Sequence, residues 1–178
     1  MEDGARHAQL ERWFRAYGDR VLAYLLHRTE RETAQDVLQE VFVTAFRKAA
    51  EVPDPPIGWL LGSARRLLAN ANRSEQRRTR LALRIADTNA TNGQAADDDA
   101  ASDAVARALA QLPDRDREVL TLSAWYGLTA DEAAQALGCS RSAYAVRLHR
   151  ARHRLADRLR ATGFRPGPVG RLPEAAHE

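Results

Sequence analysis

Cysteine and lysine are almost missing from this chain. There is one cysteine, Cys139, in 178 residues, so no disulfide can form within the chain and a reducing compartment suits it. Lys48 is the sole lysine although Lys and Arg together number 27. Basic charge is therefore carried by arginine, whose planar fork grips phosphate and guanine bidentately. No window approaches eighteen apolar residues, so no membrane-spanning helix is expected. The opening MEDGARHAQL lacks the apolar run of a secretory signal, and the expected location is the cytoplasm. Strand alternation, internal repeats and a glycine-rich phosphate loop are all absent.

What is present is charge in blocks. From Arg65 to Arg84 there are seven arginines against Glu75. From Arg141 to Arg160 there are seven more against Asp157. Between them Asp87, Asp97, Asp98, Asp99 and Asp103 stand with no base among residues 87–103. Two basic blocks around an acidic one read as surfaces for a polyanion, or else as two solvated helix faces.

Apolar spacing places amphipathic helices at 8–28 (Leu10, Trp13, Phe14, Tyr17, Val21, Tyr24, Leu25), after Thr29 (Val37, Leu38, Val41, Phe42, Ala45, Phe46) and at 58–80 (Trp59, Leu60, Ala64, Leu67, Leu68, Ala71). Thr29 and Glu32 have the spacing of a capping box, and VPDPP at 52–56 ends the second helix. Residues 86–103 lack any apolar period and read as a flexible acidic linker. Beyond it, Val105, Leu109 and Leu112 predict a short helix ended by Pro113, followed by a helix to Trp125 with Val119, Leu120 and Leu122 inward. Thr129 and Glu132 form a second capping-box pattern. The tail 162–178, rich in Gly and Pro, is expected to be disordered. The fold expected is all-α, with two small helical domains joined by a flexible acidic linker. They are an N-terminal helical bundle at 1–85 and a C-terminal helix-turn-helix domain at 104–161.

The stretch ALGCSRSAYAVRLHR, 136–150, supports that last reading. A short capped helix meets the turn glycine Gly138, then Ser140 as N-cap of a long basic helix, which is the helix-turn-helix pattern. Tyr144, Leu148, Ala151, Leu155 and Leu159 would face inward. Arg141, Ser142, Ala145, His149, Arg150 and Arg152 would face outward, toward a major groove. An ordinary helical hairpin is the plainer reading of the same pattern. His149 and His153 have a zinc-compatible i, i+4 spacing but stand among arginines without a third ligand. No metal or cofactor is expected, no nucleophile constellation is visible, and an enzyme is not expected. Cys139, after a turn glycine, reads as a small packing residue.

The segment LPDRDREVLTLSAWYGLTADEAAQALGCSRSAYAVRLHRARHRL resembles the promoter-recognising C-terminal domain of extracytoplasmic-function (ECF, group 4) sigma factors of bacterial RNA polymerase. DVLQEVFVTAFR at 36–47 is similar to the family's polymerase-clamp helix, and GWLLGSARRLLANANRSEQRR at 58–78 to its promoter-melting helix. The resemblance spans roughly residues 8–161. It implies a protein that binds core RNA polymerase, at the β′ coiled coil and the β flap, and directs initiation at promoter DNA.

Residue by residue, the resemblance gives Asp36, Gln39 and Glu40 to the β′ coiled coil. It gives Trp59, Arg65, Arg66, Asn70, Arg73 and Arg77 to the melted −10 element, with Arg78 a further backbone contact. It gives Ser140, Arg141, Ser142, Ala145, Val146, Arg147, His149 and Arg150 to the −35 duplex. The chain departs from the family at Arg66, where Asn is common, and at Asn70, where Asp is common. The loop 50–57 is short and proline-rich, and Ala145 and Val146 replace polar positions, so the role carries over and the promoter sequence does not. An anti-sigma factor is a partner the resemblance admits. The acidic linker, with Asp97, Asp98 and Asp99, could mimic a phosphate backbone in a polymerase channel. The alternative is a stand-alone helix-turn-helix regulator that binds duplex DNA without polymerase.

Overall fold

A computed structural model describes residues 2–82 and 100–161; the side chains of 2, 3, 74–82, 100–103 and Trp125 fall outside that description. The helices are α1 (Glu2–Leu26), α2 (Arg31–Arg47), a 3-10 turn (Ala49–Glu51), α3 (Ile57–Ala82), α4 (Ala100–Ala110), α5 (Asp114–Trp125), α6 (Ala130–Leu137) and α7 (Arg141–Ala161). No strand occurs among the described residues. Most of the expected linker lies outside the described residues, as does the whole tail 162–178. Its last part does not: α4 already begins at Ala100, inside the stretch 86–103.

Helices α1, α2 and α3 pack against one another as a three-helix bundle. Their buried side chains are large: Trp13, Val21, Tyr24, Leu25, Val41, Phe42, Ile57, Leu60 and Leu61 all lie in the core. Phe14, expected on the inward face, is instead 53% exposed and meets Phe42 edge-on at 5.0 Å between ring centroids. It lies at the rim of that face and covers Gly18, where a Cβ would stand 3.6 Å from the ring, an ordinary contact distance.

The two Thr-x-x-Glu patterns behave differently. At the start of α6, Glu132 N–H donates to Thr129 Oγ1 at 3.3 Å and Thr129 N–H donates to Glu132 Oε2 at 2.7 Å, a complete capping box. At α2 the box is not formed: Glu30 holds the N-cap position and makes no side-chain cap bond. The reason is the preceding helix. Thr29 N–H donates to the Leu25 carbonyl at 3.0 Å, so Thr29 closes α1 and α2 starts one residue later than the pattern implies.

In the C-terminal half, α4 buries Ala104 and Ala108, with Leu112 just past its end, whereas Val105 and Leu109 are half-buried. Arg117 secures this corner by donating from Nε to the Leu109 carbonyl at 3.1 Å and from Nη2 to those of Ala110 and Leu112, at 3.0 and 3.1 Å. The first two carbonyls belong to the last turn of α4, where a helix lacks its own donors, and the third to the residue that leads into Pro113. Helices α4, α5 and α6 all pack on α7, and α6 also packs on α3. Through that last contact, Val119, Leu122, Tyr126, Ala133, Ala134, Ala136, Leu137 and Tyr144 join the core of α1–α3 in one continuous apolar cluster. A small second cluster, Leu112, Leu120 and Ala151, belongs to the C-terminal half alone.

Candidate nucleic-acid interface

The turn between α6 and α7 is built by two residues. Gly138 adopts φ +63°, the left-handed conformation that a side chain disfavours, and its N–H returns to the Gln135 carbonyl at 3.0 Å. Ser140 then caps α7, its Oγ accepting from Ala143 N–H at 3.2 Å. Cys139 between them is half-buried against the core, as a packing residue.

With the turn fixed, Tyr144 and Ala151 pin α7 inward and its other side faces solvent. Arg141, Ser142, Ala145, Val146, Arg147, His149 and Arg150 are all exposed on α7, with Ser140 beside them. Several basic side chains of this half have carboxylate partners: Arg141 with Asp131 at 3.3 Å, Arg160 with Asp157 at 2.6 Å, and Arg154 with Asp116. Arg147 and Arg150 make no ion pair or hydrogen bond to any described residue, so they offer whole guanidinium forks to a ligand. The imidazoles of His149 and His153 stand 4.4 Å apart, edge to face. No group of three or more His, Cys, Asp or Glu placed to hold a metal occurs among the described residues.

On α3, Trp59 is half-buried against the core. Arg66, Asn70 and Arg73 are exposed, with Arg66 Nη2 donating to Ser63 Oγ at 3.0 Å and Arg73 Nη2 to Asn70 Oδ1 at 2.5 Å. Arg77 and Arg78 lie on α3, with side chains outside the described residues. Arg65 is placed differently from its neighbours. Its Nε donates to Glu118 of α5 at 3.0 and 3.1 Å, and Tyr24 Oη donates to the same carboxylate at 3.0 Å.

On α2, Asp36, Gln39 and Glu40 are exposed, opposite the buried Val37, Leu38, Val41, Phe42 and Ala45. Val43 continues this outer face and is 41% exposed. The face is thus acidic with one apolar member.

Sequence reasoning missed the seam between the halves. There α3 lies so close to α6 that a Cβ on Gly58 would come within 2.6 Å of the Glu132 carbonyl oxygen, and one on Gly62 within 3.3 Å of that of Ala136. The readable signal was two glycines four apart on one helical face, a spacing that permits close helix approach. The seam is extended by Tyr126, whose carbonyl accepts from Arg20 and whose ring meets those of Tyr24 at 5.9 Å and His27 at 6.5 Å. Burial pushes the Tyr24 and Tyr126 phenols above the ordinary tyrosine range, with Arg28 pulling the other way. The same burial, helped by Arg28, holds His27 below the ordinary histidine range.

The profile of Sigma-70 region 2 matches residues 13–79, and that of Sigma-70, region 4 matches residues 102–155. The chain belongs to the sigma-70 family. Among curated proteins, the ECF RNA polymerase sigma factor SigD of Mycobacterium tuberculosis (strain H37Rv) is 33% identical over 138 residues, which is 74% of this chain and 65% of the relative. SigD of Mycobacterium bovis matches equally. The chain thus spans 65% of the length of these relatives. Two solved structures share the fold. One is the sigma factor RpoE in complex with the anti-sigma factor NepR from Bartonella quintana, with TM-score 0.62, 19% identity, 85% of this chain and 97% of that one covered. The other is CnrH in complex with the cytosolic domain of CnrY, with TM-score 0.57, 24% identity, 87% and 90% covered. No helix among the described residues is long and apolar enough to cross a membrane.

Proposed function

We propose that this chain is an ECF sigma factor that binds core RNA polymerase and directs promoter-specific transcription initiation from the cytoplasm. The observation that carries the reading is one chain holding both sigma regions, with α7 anchored inward by Tyr144 and presenting the unpartnered Arg147 and Arg150. In this reading α7 enters the major groove of the −35 element, because a helix N-terminus and a capped turn favour phosphate while side chains beyond them reach base edges. Arg150 is assigned a base contact and Arg147 a phosphate contact. Helix α3 takes the −10 strand through Arg66, Asn70 and Arg73, with Arg65 and Arg77 on the backbone and Trp59 at the edge of the site. Asp36, Gln39 and Glu40 dock on the β′ coiled coil, and the C-terminal module on the β flap. Residues 1–85 serve the polymerase and the −10 element, and 104–161 the −35 element. Catalysis belongs to the polymerase, with no chemistry assigned to this chain. An anti-sigma factor that covers these faces is consistent with the fold's relatives.

In vitro transcription with core polymerase, with start sites mapped, tests the assignment. Arg150→Ala should lower −35-dependent initiation, since one bidentate guanine contact is worth roughly 1–3 kcal/mol of discrimination. It should leave core binding intact. Asp36→Lys with Glu40→Lys should abolish core binding while far-UV circular dichroism shows the helix content unchanged. Footprinting of a promoter by the chain alone, with no association to core enzyme, would establish the stand-alone regulator instead.

A further inference from the structure

A cavity of about 360 Å³ opens among α3, α5, α6 and α7. That is within the size range of small-molecule sites, about 300–1,000 Å³. Its floor is apolar, made by the buried Val119 and Leu137. Its walls carry Arg65, Arg115 and Arg147 together with Asp116 and Glu118.

These charges do not cancel inside the cavity. Glu118 is taken by Arg65, whose Nε donates to it at 3.0 and 3.1 Å, and by Tyr24 Oη at 3.0 Å. Asp116 is taken by Arg154, which does not line the cavity. Both acids are largely shielded, with side chains 16% and 15% exposed. Arg115 and Arg147 are exposed, come from different helices, and make no ion pair or hydrogen bond to any described residue. Two guanidinium forks thus border one concavity with no carboxylate left to meet them. A single carboxylate ligand would satisfy one fork and leave the other. A ligand with two linked phosphates satisfies both, since each fork can hold a pair of phosphate oxygens through parallel N–H···O bonds.

We propose that this cavity binds a phosphorylated small molecule, with a pyrophosphate group held between Arg115 and Arg147 and the uncharged part lying over Val119 and Leu137. The joined Arg65–Glu118 pair forms the adjoining wall. The consequence for promoter reading rests on the sigma-factor assignment: Arg147 is given a DNA phosphate there, so the ligand and the −35 duplex exclude each other at this side chain. Binding itself does not depend on that assignment.

Isothermal titration of the full chain with inorganic pyrophosphate, without polymerase or DNA, tests the site. Wild type should bind it saturably and one to one. Arg115→Gln and Arg147→Gln should each weaken binding about tenfold, the loss of one charge-assisted pair. Arg31→Gln removes the same charge from an exposed position on α2 and should bind as wild type does. Far-UV circular dichroism should show all three variants folded. Adenosine diphosphate should bind at least as tightly as pyrophosphate, and adenosine should not bind. Absent or unsaturable binding, equal loss in Arg31→Gln, or wild-type affinity in either cavity variant would overturn the site. Equal displacement by sulfate at matched ionic strength would reduce it to charge screening and overturn it too. Pyrophosphate binding with adenosine diphosphate excluded would overturn the ligand class. Loss of polymerase binding would defeat the functional reading and leave the titrations standing.

Discussion

The N-terminal bundle and the C-terminal module achieve burial by different means. The bundle buries rings and long aliphatic chains, among them Trp13, Tyr24, Phe42, Ile57, Leu60 and Leu61. The C-terminal module buries alanines, at 104, 108, 133, 134, 136 and 151, and its private cluster is Leu112, Leu120 and Ala151, with half-buried Leu109, Leu148 and Leu155 around it. Its remaining buried side chains belong to the cluster shared with α1–α3. Small modules bury a low fraction of their surface and are marginally stable. The C-terminal module therefore leans on its neighbour, and α6 is the element through which it leans. Alanine suits that position, since small side chains on α6 let its backbone enter the Gly58–Gly62 notch.

That asymmetry is best tested by truncating one leucine on each side of it. Leu61→Ala, at a fully buried site in the shared cluster, should destabilise by about 3 kcal/mol, through lost transfer energy and the residual cavity. Hydrogen exchange should then show lost amide protection in α6 as well as in α1–α3. Protection retained in α6 would mean that the two cores are independent. Leu120→Ala, in the private cluster, should cost about 2 kcal/mol. Its loss of protection should stay within α4, α5 and α7. Spread of that loss into α1 would contradict the division.

The helices were legible because apolar spacing of three and four residues is local information: α2's inward face at 37, 38, 41, 42 and 45 is readable without any partner. The turn was legible for the same reason, since Gly138 and Ser140 act within a few residues of themselves. The seam was not. Glu118 sits in a run of alternating charges, DRDRE, that looks like a solvated face, and only the arrival of Arg65 and Tyr24 from distant sequence gives it a task. Arg65 itself was read by charge as a phosphate ligand; charge does not say which anion it meets first. Two identical capping patterns at Thr29 and Thr129 had opposite outcomes, because the first is taken over by the end of α1, a condition that the four-residue pattern omits.

Those two threonines give a smaller and sharper comparison between the modules. Thr129→Ala removes a formed capping bond and should cost about 1 kcal/mol. Thr29→Ala removes no cap bond and should stay within about 0.5 kcal/mol of wild type. Chemical denaturation of the two variants side by side checks both. Equal costs would mean that Thr29 caps α2 in solution.

The smallest expected effect is the pH response of the seam. His27 packs near Tyr126, beside Arg28, and both burial and that guanidinium disfavour its charged form. Its folded pKa therefore lies below the unfolded value of about 6.5. The unfolded chain binds the extra proton first, so stability rises with pH across the interval between the two values. It is fully present above about pH 6.5 and is lost as the pH falls through the folded pKa. Melting temperature should drop modestly on acidification below that point, and His27→Gln should flatten this part of the profile, because glutamine has no proton to gain. Tyr24 and Tyr126 titrate only at alkaline pH and do not enter this range. A profile unchanged by His27→Gln would remove His27 from the account of the seam's acid response.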